Sequence, residues 1–99
     1  MTYFQGHPVR RGIYNGEAVE YVGDTVVVKL KKHVANDPRA HRGVLESLPQ
    51  QSTFDQGFNP GGRAIIHLPE GADPMVVAKR LASREDVEFA EPAFLHSGE

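Results

Sequence analysis

At 99 residues the chain is sized for one domain, with enough length to bury a modest core without staples. Hydrophobic residues make up 39% and charged residues 24%, which excludes wholesale disorder, and a net charge of -2 lacks the basic footprint of a nucleic-acid binder. There is no cysteine, so a disulfide scaffold and a cysteine-based zinc site are excluded, and no apolar run approaches the roughly 20 residues of a membrane-spanning helix.

The first segment, "MTYFQGHPVRRG", has no apolar stretch of the kind that makes a secretory signal. Its "YFQGH" resembles the scar of a tag-removal protease site, and residues 1–7 read as a leader. Next, Asn15-Gly16 stands between Ile13-Tyr14 and Ala18-Val19. Both central positions of a type I′ turn need positive φ, so this pair predicts a two-residue hairpin. Leader and hairpin together occupy residues 1–20. Gly23-Asp24 is then expected to break the chain before "TVVVKLKK", where Val26, Val28 and Leu30 alternate with Val27, Lys29 and Lys31 as a half-buried strand.

"ANDPRAHRGVLESLPQ" reads as a helix with Asp37 as cap and Pro38 in the first turn, where a missing N–H costs nothing. Ala40, Val44, Leu45 and Leu48 share its apolar face, Gly43 weakens it, and Pro49 ends it. Two extended pieces, near 53–58 and 63–68, flank the turn "NPGG". "GADPMVVAKRLASRED" repeats the helix device with Asp73 and Pro74. Pro74, Val77, Ala78 and Leu81 form its buried stripe, while Lys79, Arg80 and Arg84 face water. In "DVEFAEP", Val87 and Phe89 are expected inward and Glu88 outward.

This β-α-β-β-α-β order predicts an α+β, ferredoxin-like antiparallel sheet over residues 21–92, with two helices on one face and the spatial strand order 4-1-3-2. The N-terminal β-hairpin would extend it, and residues 93–99 would form a tail. The uncovered face would carry Val27, Lys29, Ile65, His67, Glu88 and Ala90, a candidate docking surface.

Signals for chemistry are weak. His7, His33, His41, His67 and His96 are scattered, no pair has i, i+4 spacing, and no near carboxylate completes a metal set. They read as ordinary surface or edge histidines. His67, on the docking face, is the one with a pH-responsive alternative. Ser47, Ser52, Ser83 and Ser97 sit in no nucleophile elbow, and the proline after Asp37 and Asp73 marks each as a helix cap. "NPGGR" precedes a strand instead of opening a helix, so it lacks the geometry of a phosphate cradle. The central strands "TVVVKLKK" and "RAIIHL" carry no aromatics for stacking RNA bases. The residues thus predict a non-catalytic domain with no metal or cofactor and with neither nucleic acid nor membrane as partner.

One resemblance organises these features. "VEYVGDTVVVKLKK" resembles the "vpgevIVkfK" opening of subtilisin-type serine protease propeptides, and "RAIIHLPEGADPMVVAKRLASREDVEFAEPAF" resembles their closing half with its "gVeyaEPN" signature. Leu81, Val87, Phe89, Glu91 and Pro92 fall on the signature positions, and the likeness spans residues 19–96. The hairpin segment before residue 20 has no clear counterpart in the short propeptides.

The resemblance implies a secreted precursor whose propeptide acts as intramolecular chaperone and inhibitor of its own protease. It also implies a chain that is monomeric when free. The open sheet face, with His67, would pack on two surface helices of the catalytic domain. Glu91 would place a carboxylate at the amino end of one of them. Ala93 stands where the family often has a second acid. After Pro92, the segment Ala93, Phe94, Leu95, His96, Ser97, Gly98, Glu99 would lie extended in the substrate cleft, with processing near Glu99. The alternative is a ferredoxin-like regulatory or ligand-binding module that dimerises through its sheet. Against it, "KKHVANDP" has no glycine-bearing ligand loop.

Overall fold

Two tight turns organise the N-terminal end. In the computed structural model, which describes residues 3–95, Gln5-Gly6 joins strand β1 (Tyr3–Phe4) to β2 (His7–Tyr14), and Asn15-Gly16 joins β2 to β3 (Glu17–Leu30). Asn15 and Gly16 have φ of 52° and 83°, the left-handed pair that a type I′ turn demands. The hairpin expected there is present and pairs from Tyr14↔Glu17 to Val9↔Val22. It also reaches further back than its turn signal, because Phe4 pairs with His7 and Tyr3 with Pro8 inside the segment read as leader.

The break expected at Gly23-Asp24 does not occur. β3 runs through it for 14 residues. Tyr21 pairs with Arg10 on one side and Phe94 on the other, and Val26 pairs with Ile66 and Pro92. A strand has two edges, and β6 (Val87–Phe94) takes one of them, pairing at Tyr21 and again from Val26 to Leu30. β2 and β5 (Arg63–His67) therefore share the other, one after the other. On the β6 side the ladder jumps from Tyr21↔Phe94 to Val26↔Pro92, so the surplus residues of β3 bulge there and the chain continues.

β4 (Thr53–Gln56) completes a six-stranded antiparallel sheet by pairing with β5. The N-terminal hairpin extends the sheet as expected from the sequence, and it does so through β3, which runs on as the common spine of hairpin and platform. Its neighbours run β1-β2-β3-β5-β4, and β6 adds to the free edge of β3.

Both helices begin as their Asp-Pro pairs predict. In α1 (Pro38–Glu46) the Asp37 carboxylate accepts from the Arg39 N–H at 2.9 Å, and in α2 (Pro74–Ala82) Asp73 accepts from Met75 N–H at 3.0 Å. Ala40 and Val44 from α1 meet Val77, Ala78 and Leu81 from α2 over Val26, Val28, Leu30, Ala64, Ile66 and Leu68. One face of the sheet therefore carries this apolar cluster. Leu45, assigned to that face from spacing, lies 47% exposed instead, because the stripe of this short helix is only Ala40 and Val44 wide.

Arg84 also departs from the sequence reading. It does not face water: its guanidinium donates to both oxygens of Asp86 at 3.0 Å and to Ser47 Oγ at 3.0 Å. The guanidinium lies where a side chain at Gly43 would stand. The helix-weakening glycine is thus the seat of a bridge from the end of α1 to the loop after α2. The bidentate bond from Arg84 holds the Asp86 carboxyl below its ordinary range, and the same bond raises Arg84.

Candidate functional site

Alternation along β3 decides what the helix-free face carries. Val26 and Val28 point to the helices, so Thr25, Val27 and Lys29 point away. Val27 faces Ile65 on one side and Glu91 on the other, and Lys29 faces Arg63 and Phe89. His67 lies beside Thr25. Val27 is 8% exposed at the centre of this patch, flanked by half-buried Ile65, Phe89 and Glu91. Lys29 Nζ pairs with Glu88 at 3.4 Å on the rim.

This membership corrects two expectations. Phe89 belongs to the open face, and Ala90 to the core opposite Val28. Leu30 pairs with Val87 and Lys29 with Phe89, so Glu88 is an extra residue in β6. A one-residue bulge exchanges the faces of everything beyond it. Strict alternation from Val87 therefore assigns Phe89 and Ala90 to the wrong sides. The bulge also puts Glu91 on the open face and buries Pro92 in the core. Ala93 follows Glu91 by two positions, on the same side.

Past Pro92 the sheet continues. Phe94 pairs with Tyr21 and packs edge-on against Tyr14 at 4.8 Å between ring centroids. The Leu95 N–H donates to the Glu20 carbonyl at 2.9 Å. Ala93, Phe94 and Leu95 are thus held by the domain. His96, Ser97, Gly98 and Glu99, named with them as a cleft-binding tail, lie outside the described residues.

A second region forms where the N-terminal hairpin meets the loop from β5 to α2. There a cleft of about 650 Å³ is bordered by Tyr3, Arg10, Tyr21, Asp24, His67 and Asp73, among others. The Tyr21 hydroxyl donates to Asp73 Oδ1 at 3.2 Å. Burial, then the neighbouring Asp73 charge, pushes that phenol up from its ordinary range. Arg10 reaches the same carboxylate at 3.8 Å.

The histidines are not all scattered. His7 Nδ1 lies 3.0 Å from Asp24 Oδ1, and His67 Nδ1 lies 3.7 Å from Asp24 Oδ2. The expectation that no carboxylate stands near them fails, because strand pairing joins residues 17 and 43 positions away from Asp24 in the chain. No local spacing could have signalled it. His41 is ordinary, stacked on Phe58 with Nε2 2.8 Å from the Ala35 carbonyl. Ser47, Ser52 and Ser83 donate to backbone carbonyls near their own helix or turn, as structural serines do.

The family model described as fervidolysin N-terminal prodomain matches residues 9–93, most of the fold just described. The chain belongs to the fervidolysin N-terminal prodomain-like family. No curated protein and no solved structure gives a significant match. This is a family of subtilase propeptides, so the resemblance read from "VEYVGDTVVVKLKK" and "LASREDVEFAEP" is borne out. The prodomain match takes in β2 from Val9 onward and its hairpin with β3, the segment without a counterpart in the short propeptides. Membership supports the general role of a subtilase propeptide, associated with a protease catalytic domain. Subtilase prodomains belong to secreted proteases, and no helix among the described residues is long and apolar enough to cross a membrane.

Proposed function

We propose that this prodomain assists the folding of a subtilisin-like catalytic domain and then inhibits it, docking through the helix-free face of its sheet. We read the neighbours β6-β3-β5-β4, with both helices against one side, as the ferredoxin-like platform of such propeptides. The observation that carries the reading is the patch Val27, Ile65, Phe89 and Glu91, which lies side by side on the face that neither helix covers. An apolar centre beside one carboxylate suits a surface made of helix ends. The apolar groups lose water on docking, and Glu91 meets free N–H groups at a helix N-terminus. One such charge-assisted contact contributes about 1–2 kcal/mol when partly buried.

The C-terminal segment has a narrower part in this proposal than the sequence suggested. Phe94 already packs on Tyr14 and Leu95 is bonded to Glu20, so entry into a substrate cleft begins with His96. The sheet positions the exit of the chain, and Ser97, Gly98 and Glu99 follow His96 as an added strand in the cleft. His67 stands at the margin of the docking patch. On this reading the domain is non-catalytic, secreted with its protease and monomeric when free.

The test is inhibition of a subtilisin-type protease assayed on a small chromogenic peptide. The intact domain should inhibit, and removal of the last four residues should weaken inhibition. Glu91→Ala should weaken it about 10-fold with the thermal midpoint unchanged. Equal inhibition by all three forms would refute both contacts. A purified chain that self-associates through the Val27 patch and leaves the protease active would favour the dimerising module instead.

A further inference from the structure

We infer that His7, Asp24 and His67 form a binding site for a divalent first-row transition ion, zinc in the simplest case. Three different strand segments supply the ligands. His7 opens β2 directly after the Gln5-Gly6 turn, Asp24 sits on the bulged stretch of β3, and His67 ends β5 beside Thr25. One donor atom from each lies within 4.8 Å of the others.

The donor spacing is close to what a metal needs. Bonds of about 2.0–2.1 Å in a tetrahedral site put adjacent donors ~3.3 Å apart. Asp24 Oδ2 stands 3.1 Å from His7 Nδ1 and 3.7 Å from His67 Nδ1, and no donor pair exceeds 4.8 Å, so imidazole rotations of modest size would close the set. Both rings are 40% exposed and can make them, while Asp24 is 16% exposed and anchored. Its carboxylate accepts from Thr25 Oγ1 at 2.9 Å, and its own carbonyl accepts from the Leu68 N–H at 2.7 Å. A ligand fixed by an outer hydrogen bond is the usual support of a metal site. Asp24 and His67 also border the cleft, so water there could supply a fourth donor.

Two imidazoles and one carboxylate select for zinc, copper, nickel or cobalt over calcium and magnesium, which prefer oxygen alone. The ion would also tie the N-terminal hairpin to the sheet. His7 lies just before the matched residues 9–93 and His67 within them, so the site would clamp the start of β2 onto the fold that the family model covers.

Titration of the full chain with ZnCl2 by calorimetry tests this. One equivalent should bind, Ca2+ and Mg2+ should not displace it, and the metal should slow amide exchange in β1 and β2. His67→Ala and His7→Ala should each weaken binding by at least ~100-fold, while His33→Ala leaves it unchanged. Co2+ on the unaltered chain should give the visible bands of a four-coordinate nitrogen–oxygen site that Zn2+ abolishes, a readout independent of variant folding. Absence of those bands, zinc binding retained in both variants, or displacement by Ca2+ would overturn the inference.

Discussion

The two ends of β3 are held by different physics. Its C-terminal half, with β5, β6 and both helices, is built around Val26, Val28, Leu30, Ile66 and Leu81, all without measurable exposure. Its N-terminal half, with β1 and β2, buries Tyr21 and Val22 outside that cluster and adds polar ties at the cleft, from Tyr21 to Asp73, Arg10 to Asp73 and His7 to Asp24. Apolar burial yields roughly 25 cal/mol per Å² whatever the pH, whereas half-exposed polar ties contribute on the order of 1 kcal/mol each and depend on protonation. The helix-packed half should therefore set global stability, and the hairpin half should open at lower cost.

Four substitutions break this contrast at different strengths. Leu81→Ala removes a fully buried side chain between α2 and the sheet and should cost about 3 kcal/mol in chemical denaturation. Asp73→Ala removes the cap of α2 and the partner of Tyr21 together. It should cost about 2 kcal/mol, and exchange should rise in β2 as well as in the first turn of α2. Asp86→Asn releases Arg84 from its bidentate partner and should cost about 1–2 kcal/mol at neutral pH. Arg11→Ala breaks an exposed pair with Glu20 and should change stability by no more than a few tenths of a kcal/mol.

The pH dependence separates the halves again. The folded value of Asp86 is depressed, so its contribution is present above the ordinary carboxylate range, about pH 4, and is lost as pH falls through the lowered value. Tyr21 is raised in the fold, so its contribution is present below the ordinary phenol range, about pH 10, and is lost as pH rises through the raised value. Acid should thus loosen the Arg84 bridge, and alkali the tie between the hairpin half and α2. Asp86→Asn should flatten only the acid limb of a stability profile, and Tyr21→Phe only the alkaline limb.

The sequence was most informative where structure depends on neighbouring residues. Asp37-Pro38, Asp73-Pro74 and Asn15-Gly16 each act within a few positions, and each sits where its chemistry predicts. Alternation through "TVVVKL" correctly assigned Val26, Val28 and Leu30 to the core. Alternation failed where a partner strand imposed a shift. The extra residue at Glu88 and the passage of β3 through Gly23-Asp24 are features of pairing, and neither residue alone announces them. Arg84 reads as a solvent-facing cation until α1 brings Gly43 and Ser47 beside it. The docking patch was half legible for the same reason. Val27, Lys29, Ile65 and His67 lie in the β3–β5 ladder, whose register does not shift, whereas Phe89 and Glu91 depend on the bulge. The His7, Asp24 and His67 group was invisible because two chain reversals create it.

The bond from Leu95 to Glu20, with the pairing of Phe94 and Tyr21, has a mechanical consequence. Tension applied beyond residue 95 runs along β6, while its antiparallel hydrogen bonds to β3 lie across that direction. Bonds loaded sideways share the force and give way together, unlike a ladder peeled one rung at a time. A polypeptide tugging on this end would meet resistance from the longest strand in the domain before any helix felt the strain.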